Sequence, residues 1–159
     1  MIESKLLLLL MVANGAPVLL RWWLGDRFSR PIDNGLLLAD GRPFLGRSKT
    51  WRGLLAALVS TPLVALLLEA GMETGLIIAT LAMLGDLFSS FLKRRLGIPP
   101  SGIAPVLDQI PESLLPLWVL KSSLGLGWQQ ILGIVVAFVV VGYLLSFLLY
   151  RLHIRKHPY

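Results

Sequence analysis

The sequence has no cysteine, two histidines and nine carboxylates among 159 residues. Without cysteine there are no disulfides, no thiolate nucleophile and no cysteine-ligated zinc. The histidines, His153 and His157, both fall in the C-terminal tail, and no serine is flanked by a histidine base, so acyl-enzyme chemistry has no support. The short alternating segments of a membrane β-barrel are missing. Gly46-Arg47-Ser48-Lys49-Thr50 lacks the spacing of a phosphate loop and no strand precedes it. There is no internal repeat and no low-complexity tract.

What is present is apolar. Hydrophobic residues make up 55% of the chain, and the mean hydropathy is +0.74, beyond what a soluble domain carries. The apolar residues come in long blocks, and about 20 of them cross the hydrocarbon core of a bilayer. Five blocks stand out, at about Leu6–Leu24, Gly53–Leu68, Gly75–Leu92, Ile103–Leu120 and Gln130–Tyr150. The expected fold is all-α, a polytopic integral membrane protein of five transmembrane helices. Residues 1–159 form one transmembrane domain with cytoplasmic loops at 25–52 and 93–102. Lys5, the following apolar run and Ala13-Asn14-Gly15-Ala16 imitate a signal peptide. The basic leading region is missing, however, and we expect the segment to be retained as the first span.

The cations assign the sides. The first loop region holds Arg21, Arg27, Arg30, Arg42, Arg47, Lys49 and Arg52; the third holds Lys93, Arg94 and Arg95; the tail holds Arg151, Arg155 and Lys156. With five spans these thirteen of the fifteen basic residues share one face, leaving Lys5 and Lys121 opposite. The positive-inside bias then puts the N-terminus outside and the C-terminus in the cytoplasm. Trp22, Trp23 and Trp51 fall at the inner interface and Trp118 and Trp128 at the outer one, where indoles anchor. The net charge of +6 follows from the same bias, so nucleic acid is not an expected partner.

Chemistry is expected where charge enters the apolar blocks. Asp86 lies inside the third segment, at a depth where an ionisable group costs several kcal/mol and marks function. Ser89 or Ser90, and Lys93, follow at helical spacing and put one wet stripe on the helix. In the fourth segment Asp108 and Glu112 share a face, and Pro105, Pro111 and Pro116 are expected to break the helix where it meets a watery cavity. Carboxylates from two helices facing lysine and arginine suit Mg²⁺ with a polyphosphate. An ion or anion transporter is the alternative, since such proteins also carry intramembrane acids and broken helices.

Several of these motifs, in this order, resemble a known family. Gly85-Asp86-Leu87, Ser90-Phe91-Leu92-Lys93-Arg94 and Asp108-Gln109-Ile110 are similar to the signature of phosphatidate cytidylyltransferases. The stretch from Asp40-Gly41-Arg42 through Gly46 and Lys49-Thr50-Trp51 to Gly53 resembles the loop of the smaller CDP-archaeol synthases. The resemblance covers roughly residues 30–120. It implies a cytidylyltransferase that condenses CTP with a lipid phosphate in the cell membrane, its active site facing the cytoplasm. It also implies site residues: Asp86, Lys93 and Asp108 as catalytic groups; Asp86, Asp108 and Glu112 as Mg²⁺ ligands; and Lys49, Ser90 and Arg94 on the phosphates. Asp33, Asn34, Asp40 and Gln109 would read base or ribose. Arg95 is read as a topology marker, the lipid's chain type stays open, and a homodimer is compatible with all of this.

Overall fold

The computed structural model describes residues 2–99 and 105–152. The described residues form five helices: α1 (Ile2–Leu24), α2 (Trp51–Leu67), α3 (Met72–Arg95), α4 (Pro105–Leu120) and α5 (Trp128–Arg151). Among the described residues the only extended pairings are two isolated bridges in the α1–α2 loop. Helices α1, α3 and α5 have 23, 24 and 24 residues and are long and apolar enough to cross a membrane; α2 has 17 and α4 has 16. In hydrocarbon a helix satisfies its own backbone polar groups, which is why apolar blocks of this length take that form.

The helix ends sit close to the sequence expectations, with two corrections. Helix α3 does not stop at Leu92. It runs through Lys93, Arg94 and Arg95, and closes with Gly97 at φ +78° and Ile98 N–H on the Lys93 carbonyl at 2.9 Å. Helix α4 is not broken: Pro111 and Pro116 lie inside one continuous helix, and Pro105 opens it, where a missing N–H costs nothing. Residues 100–104, where the fourth segment was expected to begin, and the tail from His153, with Arg155, Lys156 and His157, lie outside the described residues.

Successive helices pack side by side, α5 returns against α1, and α3 also reaches across to α1. A buried hydrophobic cluster joins Leu6, Leu9 and Leu10 of α1 with Ala65, Ile78, Leu117, Ile131, Ile134 and Phe138. These residues come from the N-terminal parts of α1, α3 and α5 and the C-terminal parts of α2 and α4, so one end of the bundle is a dry core. The opposite end gathers the polar groups.

Leu55, Val59, Leu63, Leu84, Phe88, Val136, Val140 and Leu144 are exposed around the outside, as on a helix bundle bathed in lipid. All five tryptophans are exposed and lie near helix ends. Association in lipid rests on close van der Waals approach through small residues. A Cβ on Gly75 would stand 2.7 Å from Pro62 Cα, and one on Gly85 would stand 2.5 Å from the Pro111 carbonyl oxygen. These two glycines set the α2–α3 and α3–α4 contacts.

Candidate active site

The Gly85 contact brings the acids together. Backbone meets backbone where α3 crosses α4, so the next residue on α3, Asp86, falls beside Glu112, which follows Pro111 on α4. Their side chains are hydrogen-bonded to each other, and Glu112 is buried at 8% exposure. Asp108 lies one turn before Glu112 on the same helix. The expected stripe on α3 faces inward: Ser89, Ser90, Lys93 and Arg94 are buried, while Leu84 and Phe88 point outward. Ser89 Oγ donates to its own helix at the Asp86 carbonyl, 3.0 Å away, which answers its hydroxyl locally.

Two ammonium groups neutralise the acids. Lys49 Nζ, from the loop before α2, lies 2.5 Å from both carboxylate oxygens of Asp86. Lys93 Nζ lies 2.7 Å from Asp108 Oδ1. Such half-buried pairs are strong contacts, because removing one partner leaves the other charge stranded away from water. Burial alone would lower the Lys49 ammonium, but the Asp86 charge, with Glu112 and Asp108 behind it, outweighs burial and holds it above the usual lysine value. Arg94 completes the basic side. Its Nη2 donates to the Pro99 carbonyl at 2.9 Å, while Nε and Nη1 are buried with no partner among the described residues. Unanswered guanidinium donors of this kind suit an anion with several oxygens.

Lys49 is delivered by a folded loop. Thr50 caps α2, its Oγ1 accepting from Gly53 N–H at 3.3 Å. Asp33 braces the turn just before: its Oδ2 accepts from the N–H of Leu45 at 2.8 Å and of Gly46 at 2.9 Å, and its Oδ1 from Gly35 at 3.0 Å. Partial burial pushes the Asp33 carboxyl up, but these backbone donors outweigh it and hold it below the usual aspartate value. Gly46, at φ +95°, makes the turn from which the chain runs on to Lys49. Asn34 Oδ1 accepts from Arg30 Nε at 3.0 Å. Asp40 pairs with Arg95 at 2.5 Å.

The structure therefore brings together Asp86, Glu112, Asp108, Lys49 and Lys93, with Ser90 and Arg94 buried on the same helix. It does not place the contacts of Asp33, Asn34 and Asp40 in that cluster; they lie within the loop or on Arg95. Gln109 turns toward α5, where a Cβ on Gly142 would stand 3.3 Å from its amide nitrogen, and its Oε1 is buried without a partner among the described residues. The sequence reading missed Arg42 and Arg95, and it gave Gly85 no steric role. Glycine directly before an intramembrane acid was the available signal for the latter.

The donor set fits Mg²⁺. Among the described residues no three acidic or histidine side chains converge on one point, but Mg²⁺ is ordinarily held by one or two carboxylates together with substrate phosphates and water. The touching Asp86–Glu112 pair offers oxygen ligands only, and the adjacent cations suit the phosphates.

The chain is similar to known proteins in sequence and in fold. A family model described as CarS-like, CDP-archaeol synthase, matches residues 66–159. The CDP-archaeol synthase of Aeropyrum pernix is 37% identical over 88% of this chain and 80% of its own. That of Sulfolobus acidocaldarius is 32% identical over 94% and 91%. That of Hyperthermus butylicus is 41% identical over 63% and 60%. A solved structure described as an intramembrane enzyme for archaeal membrane lipids biosynthesis superposes with a TM-score of 0.74 at 34% identity, covering 87% of this chain and 88% of the other. Three long apolar helices and an intramembrane neighbour make this an integral membrane protein, and the chain belongs to the CDP-archaeol synthase family.

Proposed function

We propose that this protein is a CTP:lipid-phosphate cytidylyltransferase that joins CTP to a membrane lipid phosphate, giving CDP-lipid and pyrophosphate. The observation that carries the reading is the Asp86–Glu112 contact flanked by Lys49, Lys93 and Asp108 at the polar end of an otherwise lipid-facing bundle. An oxygen of the lipid phosphate attacks the α-phosphorus of CTP in line, and the bond to the leaving pyrophosphate breaks; no covalent enzyme intermediate is needed. Catalysis of this kind is positioning plus charge stabilisation.

Asp86 and Glu112 would hold Mg²⁺, which when bound supplies charge stabilisation to the phosphate oxygens, and Asp108, one turn away and paired with Lys93, completes the acidic side. Lys49 and Lys93 neutralise Asp86 and Asp108, and nucleotide phosphates compete with those carboxylates for the same two ammonium groups. Arg94, whose Nε and Nη1 have no partner among the described residues, takes further phosphate oxygens, and Ser90 supplies a hydroxyl on the same inward face. Asp33, Asn34 and Asp40 serve the site through the shape of the loop that carries Lys49, and Gln109, turned toward α5, stays outside the phosphate site.

The reading extends to topology. All five helices span the membrane, the N-terminus is outside and the polar end faces the cytoplasm. The charge bias supports this, as does the supply of CTP from the cytosol. The lipid enters sideways, where its phosphate meets the polar end while its chains remain in the bilayer. A dry core fills the opposite end, which argues against a through-path for ions.

The test is purified protein in detergent with labelled CTP and Mg²⁺, given an ether-linked and an ester-linked lipid phosphate in parallel. CDP-lipid is expected from at least one of them. No product from either refutes the function, and product from one alone identifies the chain type.

A further inference from the structure

Arg95 ends α3, nine residues beyond Asp86, and looked in the sequence like a topology marker. Its side chain instead grips the first loop. Nη1 lies 2.5 Å from Asp40 Oδ2, and Nη2 donates to the Pro43 carbonyl at 2.6 Å and the Arg42 carbonyl at 3.4 Å. The grip is reciprocal: Arg42 Nη1 donates to the Arg95 carbonyl at 2.5 Å. Apolar contacts back it. The Arg95 guanidinium lies 5.4 Å from the centre of the Phe91 ring, and Phe44 meets Phe91 edge-on with centroids 5.4 Å apart.

What is gripped is a small hairpin. Leu38 N–H reaches the Arg42 carbonyl at 3.0 Å, Phe44 N–H reaches the Leu36 carbonyl at 2.8 Å, and Gly41 turns the tip at φ +71°. The strand leaving it feeds Leu45 and Gly46 into the Asp33 carboxylate and then Lys49 onto Asp86. The same helix that carries Asp86 therefore holds the loop that carries Lys49, by two separate attachments.

We propose that Arg95 and Arg42 are positioning residues: their clasp on the Asp40–Phe44 hairpin fixes Lys49 at the reacting centre. The proposal rests on the cytidylyltransferase reading only for its kinetic arm. A planar fork that answers one carboxylate and two carbonyls cannot be replaced by lysine, whose ammonium is a point charge. The clasp touches no reacting atom, so its effect travels entirely through Lys49.

This gives a specific signature. Lys49 meets the nucleotide and not the lipid, so Arg95→Ala raises KM for CTP and leaves KM for the lipid phosphate unchanged, as does Lys49→Ala. The loss in kcat/KM for CTP is about 10²-fold, the scale of an ångström-level misplacement. In a Lys49→Ala background, Arg95→Ala costs no more than about a further twofold, because the two residues act as one unit. A role in folding alone would reduce the active fraction, lowering kcat with both KM values intact, and its effect would add to that of Lys49→Ala; either result overturns the proposal. Asp40→Asn, which keeps the turn but removes the charge, gives the same pattern at smaller size and serves if Arg95→Ala does not fold.

A second arm needs no turnover. The chain has no cysteine, so a spin label at Leu37→Cys, an exposed hairpin position, reports the loop without background. Arg95→Ala is expected to give the sharper lines of a freed loop; an unchanged spectrum overturns the clasp. Wild-type protein that fails to use CTP overturns the functional reading, while the spectrum still decides the clasp.

Discussion

Gly85→Ala puts one methyl group where two backbones touch. The added Cβ would stand 2.5 Å from the Pro111 carbonyl oxygen, 2.6 Å from its carbon and 2.7 Å from Glu112 N. Cβ contacts under 3.0 Å are essentially never seen and ordinary contact begins at 3.4 Å, so α3 and α4 must part by about 0.5–0.9 Å. None of the offended atoms is the end of a flexible side chain that could swing away. Overpacking of this kind costs about 1–3 kcal/mol. The site should suffer more than the fold, because the same displacement separates Asp86 from Glu112 and pulls Asp86 from its place opposite Asp108. At about 10²-fold per ångström of misplacement, we expect kcat/KM to fall by one to two orders of magnitude.

Gly75→Ala is the matched control. Its Cβ would meet Ala65 Cβ at 2.6 Å and Pro62 Cα at 2.7 Å, a similar offence at the dry end of the same helix. Melting in detergent and CTP-dependent turnover should be measured for both. Both variants should melt lower than wild type, and only Gly85→Ala should lose turnover per folded molecule. Wild-type turnover in Gly85→Ala, or an equal loss in both, would refute the idea that this crossing sets the site.

Asp86→Asn and Asp108→Asn should each abolish CDP-lipid formation while the protein still inserts and purifies as wild type; near-normal rates in either would reject its assignment. Chelation of Mg²⁺ should stop turnover, and Mg²⁺ with CTP should stabilise the folded protein by about 2.7 kcal/mol at a hundredfold excess over Kd, read as a rise in melting temperature that Asp86→Asn abolishes. The Asp33 carboxyl is held below its ordinary value of 3.8. Its support of the loop is therefore complete above that value and is lost as pH falls through the lower folded one. A spin label at Leu37→Cys should stay immobile at neutral pH and loosen below about pH 4, and Asp33→Asn should already be loosened at pH 7; a label insensitive to both changes would remove Asp33 from this role.

Composition and hydropathy were enough to read helices, because long apolar blocks have no other stable form in hydrocarbon. Segregated charge marked one end of the molecule as polar, and the cost of burying Asp86 marked it as functional before any neighbour was known. The stripe Asp86–Ser90–Lys93 was legible because residues on one helix face follow the helical period. Proline was less reliable. Pro111 and Pro116 suggested breaks, yet α4 stays continuous, since a proline lacks only its own N–H and neighbouring helices tolerate the freed carbonyls.

Partners across helices could not be read this way, because the period of one helix carries no information about its rotation against another. Lys49 and Asp86 are 37 positions apart, and Arg95 and Asp40 are 55 apart; the sequence supplied the charges without the pairing. That Lys49 rather than Lys93 meets Asp86, that Glu112 touches Asp86, and that Arg95 clasps a loop follow from the backbone approach at Gly85 and Pro111 and from the hairpin that returns the first loop to α3. The sequence by itself determined a membrane-embedded helical protein with an acid–cation cluster at one end. Tertiary structure decided which acid faces which cation, because that choice is made by interhelical distance.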